Sequence, residues 1–292
     1  MRIFITGGSG FIGRNISEHM EKKHTVFAPP HRTLDLLDGE KVEQFITKNK
    51  IDIIIHCAVR PGHRNAKDPT NQLFINTRMF FNIVRNLKKV KKMIFISSGN
   101  VYDMRHYKPK MKEDYFDKYV PYDEGGFSKY ISGRYIEQSD KVVELRVFGI
   151  FGKYEDYAIR FISNAICKTL FDLPITMKQN RRFDYIYIND LMPILDYFIN
   201  NRSRYKAYNV TPDKSIDLYS LAKKVKKISG KNLTIIIGKS GMGIEYSGDN
   251  RRLREEIRGL KFTPMDDAIR DLFNWYSKRI HSIERANLLV DR

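Results

Sequence analysis

The chain has 292 residues, 42% of them hydrophobic, which is enough for a large core in one or two domains. Its two cysteines, Cys57 and Cys167, point away from a disulfide framework or a metal site, and its longest apolar runs, such as Ile51–Val59 and Met93–Ile96, are too short to span a bilayer. The 52 Lys+Arg against 34 Asp+Glu give a net charge of +18, dispersed in pairs such as Lys22-Lys23, Lys88-Lys89, Lys91-Lys92 and Lys223-Lys224 without a nucleic-acid-binding motif, so polyphosphate ligands are expected and nucleic acid and membrane are not.

Arg2–Thr6 reads as a short apolar strand. Gly7-Gly8-Ser9-Gly10-Phe11-Ile12-Gly13 follows at once, and Arg14 to Lys22 is helical. Strand, glycine turn and helix in this order bind the pyrophosphate of a dinucleotide. Gly7 and Gly8 allow the tight turn, Gly10 lets backbone approach phosphate, and Gly13 lets the helix lie close on the strand. Phe11 and Ile12 stand at the helix end whose free N–H groups and positive dipole meet the anion. The apolar start runs straight into this turn, so a cytoplasmic chain without a signal peptide is expected.

Thr25–Ala28 is the second predicted strand. An NAD-specific site needs an acid after it for the ribose hydroxyls. Here the segment reads Ala28-Pro29-Pro30-His31-Arg32, with no acid before Asp35 and with Leu36 beyond it. His31 and Arg32 suit a 2′-phosphate, so NADP(H) is favoured over NAD(H), the alternative being an Arg32 that only faces solvent.

Gly39–Asn49 is a predicted helix, and Ile51–Cys57 a buried strand, continuous in Ile as parallel sheets require. Helix Pro69–Leu87, strand Lys92–Ser97, helix Ser128–Asp140 and strand Val142–Phe148 continue the alternation. The pattern predicts an α/β fold with a Rossmann-type doubly wound parallel sheet. After Gly152 the rhythm changes to helix Glu155–Leu170, strands Ile175–Met177 and Asp184–Ile188, and helix Asp190–Asn200. Strand Tyr208–Thr211, helix Leu218–Ile228 and strand Leu233–Ile237 read as a smaller α/β lobe, followed by an amphipathic helix, Pro264–Trp275, and a loosely ordered tail beyond Lys278. Residues 1–152, joined by 180–205, are therefore expected to form the dinucleotide domain, and 153–292 mainly a discontinuous substrate lobe, with substrate in the cleft between.

Six segments carry a resemblance: Thr6–Gly13 as Thr-Gly-x-x-Gly-x-x-Gly; His56-Cys57-Ala58; Asn76; Ser97-Ser98-Gly99-Asn100-Val101-Tyr102 as Ser-Ser-x-x-Val-Tyr; Phe127-Ser128-Lys129; and Arg182-Phe183-Asp184-Tyr185-Ile186-Tyr187-Ile188-Asn189-Asp190. In this order, over nearly the whole chain, they resemble the extended short-chain dehydrogenases/reductases: nucleotide-sugar epimerases, dehydratases and 4-ketoreductases. Thr33-Leu34-Asp35-Leu36-Leu37-Asp38 further resembles the branch with GDP-fucose synthases. The resemblance implies hydride transfer at a sugar carbon of a nucleoside-diphosphate sugar, in surface-polysaccharide synthesis. It also implies a homodimer through helices near 70–88 and 126–140. By the same resemblance Cys57, Ala58, Val59 and Asn76 border the cofactor, and Lys129 holds the nicotinamide ribose and lowers the pKa of a catalytic tyrosine. Ser98 would bind the reacting oxygen, Asn100 the substrate, and Arg182 the phosphates or ribose of its nucleotide. Arg251, in Gly248-Asp249-Asn250-Arg251, is a second phosphate candidate, because two phosphates suit paired guanidiniums; its other reading is surface charge. His63 and Arg64 lie on a loop where substrate could pass, His56 and Cys57 could simply end a buried strand, and no metal is expected.

The Tyr-x-x-x-Lys of the family is broken here: the residue four before Lys129 is Gly125, followed by Gly126. Glycine there predicts a gap beside the substrate. Three explanations stay open. The acid has moved to Tyr122, seven residues before Lys129, on a loop signalled by Pro121 and the two glycines; or a water or substrate group fills the gap, assisted by Lys129 and Ser98; or the chain is a non-catalytic dinucleotide-binding regulatory or interaction protein. The plain reading of Tyr122 is a packed loop tyrosine. Leu145-Arg146-Val147-Phe148-Gly149-Ile150-Phe151-Gly152 resembles the family's Leu-Arg-x-x-Asn-x-Tyr-Gly with Gly149 in place of the asparagine, and Gly125 and Gly149 together, in place of two polar contacts, predict a bulkier or differently posed sugar, or a degenerate site.

Overall fold

The computed structural model describes residues 1–63, 65–66 and 68–289; Arg64 lies outside them. β1 (Arg2–Thr6) leads through the glycine turn into α1 (Phe11–Met20), β2 (Thr25–Phe27), α2 (Gly39–Lys48), β3 (Ile53–His56), α3 (Gln72–Val84), β4 (Lys92–Ser98), α4 (Glu124–Glu137) and β5 (Val142–Val147). There follow β6 (Gly149–Phe151), α5 (Phe161–Leu170), β7 (Ile175–Asn180), β8 (Arg182–Phe183), β9 (Tyr185–Tyr187), α6 (Leu191–Asn200) and β10 (Ala207–Val210). The chain ends in β11 (Ile216–Asp217), α7 (Leu218–Ser229), β12 (Ile235–Met242), α8 (Arg251–Glu256) and α9 (Met265–Ser277).

The main sheet has the order β10-β5-β4-β3-β1-β2, and every neighbouring pair is parallel. This is the doubly wound α/β sheet that the alternation predicts. Strand side chains alternate between two cores. Ile3, Ile5, Ile53 and Ile55 face one apolar cluster, while Phe4 and Ile54 face the other, with α2 and α3. The first cluster continues through α6 into α5, α7 and α9. The order runs outward in opposite directions from β1 and β3, so a topological switch point lies at their C-terminal ends. Thr6 pairs with His56 there.

Aspartates cap the starts of α2, α4 and α7. Asp38 accepts from Lys41 N at 3.0 Å, Asp123 from Gly126 N at 2.8 Å and Asp217 from Ser220 N at 2.9 Å, each satisfying an amide with no helical partner. A buried polar chain fixes the turn after β4. Arg146 pairs with Glu144 at 2.8 Å and donates to Tyr102 Oη at 2.9 Å; Tyr102 Oη donates to Asn209 Oδ1 at 2.8 Å; and Asn209 Nδ2 donates to Met111 O at 2.8 Å. β5, β10 and the segment after β4 are thereby tied to one another.

Several elements differ from the sequence reading. The strand expected at Tyr208–Thr211 in the smaller lobe is β10, buried along its length and paired with β5 at the edge of the main sheet. The helix expected from Glu155 begins only at Phe161: Asp156 turns the chain by accepting from Ala158 N at 3.0 Å, and the Glu155 carboxylate turns inward to the Ser163 hydroxyl at 2.6 Å. α4 starts at Glu124, so Gly125 and Gly126 are its first turn and not a loop. Beyond Lys278 the described chain makes two short 3-10 turns and is anchored by buried Ile283, just after the first, and Leu288, at the end of the second. None of the helices among the described residues is long and apolar enough to cross a membrane.

Candidate active site

The glycine turn is sterically closed except where a ligand would approach. Gly7 has φ +69°, and a Cβ on it would stand 2.9 Å from the backbone of Ala58. A Cβ on Gly13 would stand 2.2 Å from Gly7 O, so α1 can approach β1 only without one. A Cβ on Gly8 would meet Ala28 Cβ at 2.6 Å, which sets the end of β2 against the turn. Around Gly10, by contrast, the nearest atom is Gly7 O at 3.3 Å. Gly10 N donates to Gly7 O at 2.9 Å and Arg14 N makes the first helical bond to Gly10 O, leaving the amides of Phe11, Ile12 and Gly13 to point along the helix axis. This donor set fits the pyrophosphate of a dinucleotide.

Thr6 closes the other side. Its hydroxyl accepts from Cys57 N and Ala58 N, both at 3.1 Å, and lies 2.7 Å from His56 Nδ1. With both lone pairs engaged, the hydroxyl donates its only proton to Nδ1, so His56 carries its hydrogen on Nε2. Burial and the nearby Lys129 ammonium hold the His56 pKa down at about 3, and the ring is neutral. Burial also lowers the pKa of Lys129, with Glu144 and Asp123 acting in the opposite direction. No side-chain hydrogen bond or ion pair of Lys129 exists among the described residues, and its ammonium lies near enough to His56, at the end of β3, to act on that ring.

Ser98 ends β4 and accepts from Asn100 N at 3.3 Å. Tyr246, from the segment after β12, donates to Asn100 Oδ1 at 3.3 Å. Glycine turn, Lys129 and Ser98 thus gather at the C-terminal ends of β1, β3 and β4, where a parallel sheet of this order binds ligands.

Residues 3–211 match the NAD dependent epimerase/dehydratase family. The chain belongs to that family. GDP-L-colitose synthase of Yersinia pseudotuberculosis is 25% identical over 265 residues, which span 82% of this chain and 86% of that protein. Among solved structures, UDP-glucose 4-epimerase of Thermotoga maritima with UDP-glucose superposes with a TM-score of 0.81 at 18% identity, covering 96% of this chain and all (100%) of that one. GDP-mannoheptose C4 reductase of Campylobacter jejuni with NADP bound superposes at 0.80 and 19% identity, covering 94% and 98%.

Not every family position does here what the sequence suggests. Asn76 does not face the cleft freely: its Oδ1 accepts from Arg60 N at 2.7 Å, so it pins the loop after β3. Val59, on that loop, is exposed beside the turn. Tyr122 is 82% exposed with the Arg105 guanidinium 5.0 Å from its ring centre, and is neither packed nor directed at Ser98 by any contact. Arg251 folds back on Asp249 at 2.9 Å, and Arg182 is exposed, touching Ser215 O at 3.4 Å. His31 lies 3.7 Å from Asp35, whose other contact caps Leu37 N at 2.9 Å; Arg32 is exposed and Leu36 is core. The Tyr-x-x-x-Lys spacing does occur at Tyr219 and Lys223, but on α7, where the ammonium sits 4.4 Å from its own tyrosine ring and the helix packs on α5 and α9.

The glycines at 125 and 149 are unlike each other. A side chain at 149 would collide with Asp184 O at 2.3 Å, because β6 pairs with β9 at that point; Gly149 leaves no polar gap. At Gly125 a Cβ would meet only Gln72 Oε1 at 3.1 Å and Asp123 Oδ1 at 3.3 Å. Sequence reasoning missed Tyr246 and Lys110 and met Asp184 only as part of the Arg182–Asp190 segment; Asp184 accepts from Gly248 N at 2.8 Å, and Lys110 lies 3.4 Å from its carboxylate. Burial raises the Asp184 pKa to about 6 against the pull of Lys110. No cluster of three or more His, Cys, Asp or Glu among the described residues could hold a metal.

Proposed function

We propose that this chain is an NADP(H)-dependent nucleotide-sugar enzyme, a 4-keto reductase or epimerase acting in surface-polysaccharide synthesis in the cytoplasm. The observation that carries the reading is the convergence of the glycine turn, the unpartnered Lys129 ammonium and Ser98 on one switch point. The relatives support it, since those named above act on GDP- or UDP-linked sugars and one holds NADP. When bound, the dinucleotide supplies or accepts hydride at the sugar carbon. The chain's own residues do the rest. The Gly7–Gly13 amides hold the pyrophosphate, Lys129 orients the ribose, and Ser98 holds the reacting oxygen. Arg32, with His31, meets the 2′-phosphate, because the position after β2 offers a guanidinium and no acid. Arg182 is the better-placed phosphate ligand of the two arginines, since its backbone is bonded to Tyr246 at 2.9 Å, beside the Ser98 turn.

A homodimer fits an open groove of about 610 Å³ on α3 and α4, lined by Leu73, Phe74, Phe81 and Ile131, with Phe74 64% exposed. Gly125 favours a second reading, a dinucleotide-binding protein without turnover. Calorimetry and turnover together decide. NADPH is expected to bind about tenfold more tightly than NADH, Arg32→Ala to erase that preference, and a GDP-linked 4-keto sugar to be reduced. NADPH binding with no turnover of GDP-, UDP- or dTDP-linked 4-keto sugars would establish the second reading, and equal NADH and NADPH affinities would sink the cofactor assignment.

A further inference from the structure

We propose that the Tyr246 hydroxyl is the proton donor of this active site, replacing the tyrosine absent at Gly125; the proposal rests on the nucleotide-sugar reading above. Tyr246 is held by backbone on both sides. Its N–H donates to Arg182 O at 2.9 Å and its carbonyl accepts from Asp184 N at 3.2 Å. The ring then stacks on Tyr107 at 5.3 Å and 23°, and tilts against Phe148 at 5.1 Å. This aims the hydroxyl at the turn after β4, where it bonds Asn100 Oδ1 at 3.3 Å and lies against Gly99, the residue after Ser98.

Two glycines make the room. A Cβ on Gly99 would stand 2.7 Å from the Tyr246 hydroxyl and 2.7 Å from the Phe148 ring, and one on Gly248 would stand 2.7 Å from Phe148. The residues around Ser98 are therefore shaped to admit a phenol from the second lobe. Tyr246 is only 8% exposed, whereas Tyr122, the other candidate, is in solvent. Burial pushes the Tyr246 phenol pKa up, so it carries a proton at neutral pH.

In the reductive direction the sugar carbonyl carbon gains a hydride from a reduced nicotinamide dinucleotide, which is oxidised as the sugar is reduced. The carbonyl π pair moves onto oxygen. The Tyr246 O–H bond breaks, its proton completes the alcohol, and its electron pair stays on the phenolate. The backbone at Gly99 lies beside that phenolate, Ser98 keeps its single proton for the sugar oxygen, and water at exposed Asn100 returns the proton.

Tyr246→Phe removes one oxygen and keeps the stack. Loss of a general acid costs about 10²- to 10⁴-fold, so turnover of a GDP-linked 4-keto-6-deoxyhexose with NADPH should fall at least about 100-fold. Calorimetric affinity for NADPH and for GDP should stay at wild-type values, while the extra affinity of GDP-mannose over GDP shrinks. Adding Gly125→Tyr to Tyr246→Phe should restore part of the turnover by returning a phenol to the family position. Tyr246→Phe that keeps both wild-type turnover and the GDP-mannose increment overturns the assignment and leaves the nucleotide-sugar reading standing. A wild-type chain that binds NADPH but reduces no nucleotide sugar overturns both.

Discussion

The glycine turn and the Ser98 corner are both built on glycines, for opposite reasons. In the turn, the tightest obstacle lies within a few residues of sequence: Gly13 is forbidden a Cβ by Gly7 O at 2.2 Å, while Gly7 and Gly8 face Ala58 and Ala28 just past the ends of the neighbouring strands. In the corner, the obstacles come from far along the chain. Gly99 makes way for Tyr246 and Phe148, and Gly149 for the Asp184 carbonyl. The turn thus closes first on its own backbone, and the corner only on distant segments. Substitution at the turn should damage cofactor binding, while substitution at the corner should change what happens to the sugar.

The largest effect is expected at the turn. Gly13→Ala forces two backbone segments apart, a form of overpacking that costs at least about 3 kcal/mol at such a distance. NADPH binding by calorimetry should vanish and the melting temperature should drop. A Gly13→Ala chain with wild-type NADPH affinity would break the comparison at its root.

The corner should carry a pH dependence that the turn lacks. The Asp184 carboxyl, normally near 3.8, titrates at about 6 in the fold. Between those values the native state holds a proton that the unfolded chain has released, so stability falls as pH rises through this window. The penalty is complete above pH 6 and amounts to roughly 2–3 kcal/mol. Asp184→Asn can keep an acceptor for the Gly248 N–H and should flatten the profile. Urea unfolding of both proteins at pH 4.5 and pH 7 measures this, and parallel profiles would remove Asp184 as the cause.

Lys129 joins the two regions, and its variant should separate binding from stability. Lys129→Met is expected to weaken NADPH by about tenfold, or ~1.4 kcal/mol, while leaving the melting temperature equal or higher, because a desolvated ammonium with no protein partner is removed. A fall in stability without loss of NADPH affinity would make Lys129 structural.

The same contrast explains what could be read from the chain. The sheet, its parallel sense and the phosphate turn were legible because Ile53-Ile54-Ile55 and Gly7–Gly13 are contiguous patterns in the sequence. β10 was misplaced because four buried residues fit a lobe strand as well as a sheet edge, and only pairing with β5 separates the two. Gly149 looked like a missing polar contact because nothing nearby in sequence reveals Asp184 O above it. Tyr246 was invisible for the same reason, since its neighbours are Arg182, Asp184 and Asn100, and no spacing rule links them.

The smallest prediction is the sharpest test of Gly125 itself. Gly125 and Gly126 are adjacent in the first turn of α4, yet a Cβ on Gly126 would lie 2.6 Å from Asn100 O and 2.8 Å from Pro121 Cβ, whereas one on Gly125 meets two side-chain oxygens, Gln72 Oε1 at 3.1 Å and the capping Asp123 Oδ1 at 3.3 Å. Among the described residues the Gln72 side chain has one bond, from Nε2 to Pro69 O at 3.0 Å, and can rotate away. Gly126→Ala should therefore destabilise by about 1–2 kcal/mol. Gly125→Ala should stabilise by about 0.5 kcal/mol, a part of the helix preference of alanine over glycine, reduced at a helix end. Opposite signs in urea unfolding would mean that nothing in the fold requires glycine at 125, and that the family tyrosine could be returned there. Equal losses would mean that Gln72 holds this space as firmly as backbone does, and that a phenol reaches Ser98 only from Tyr246.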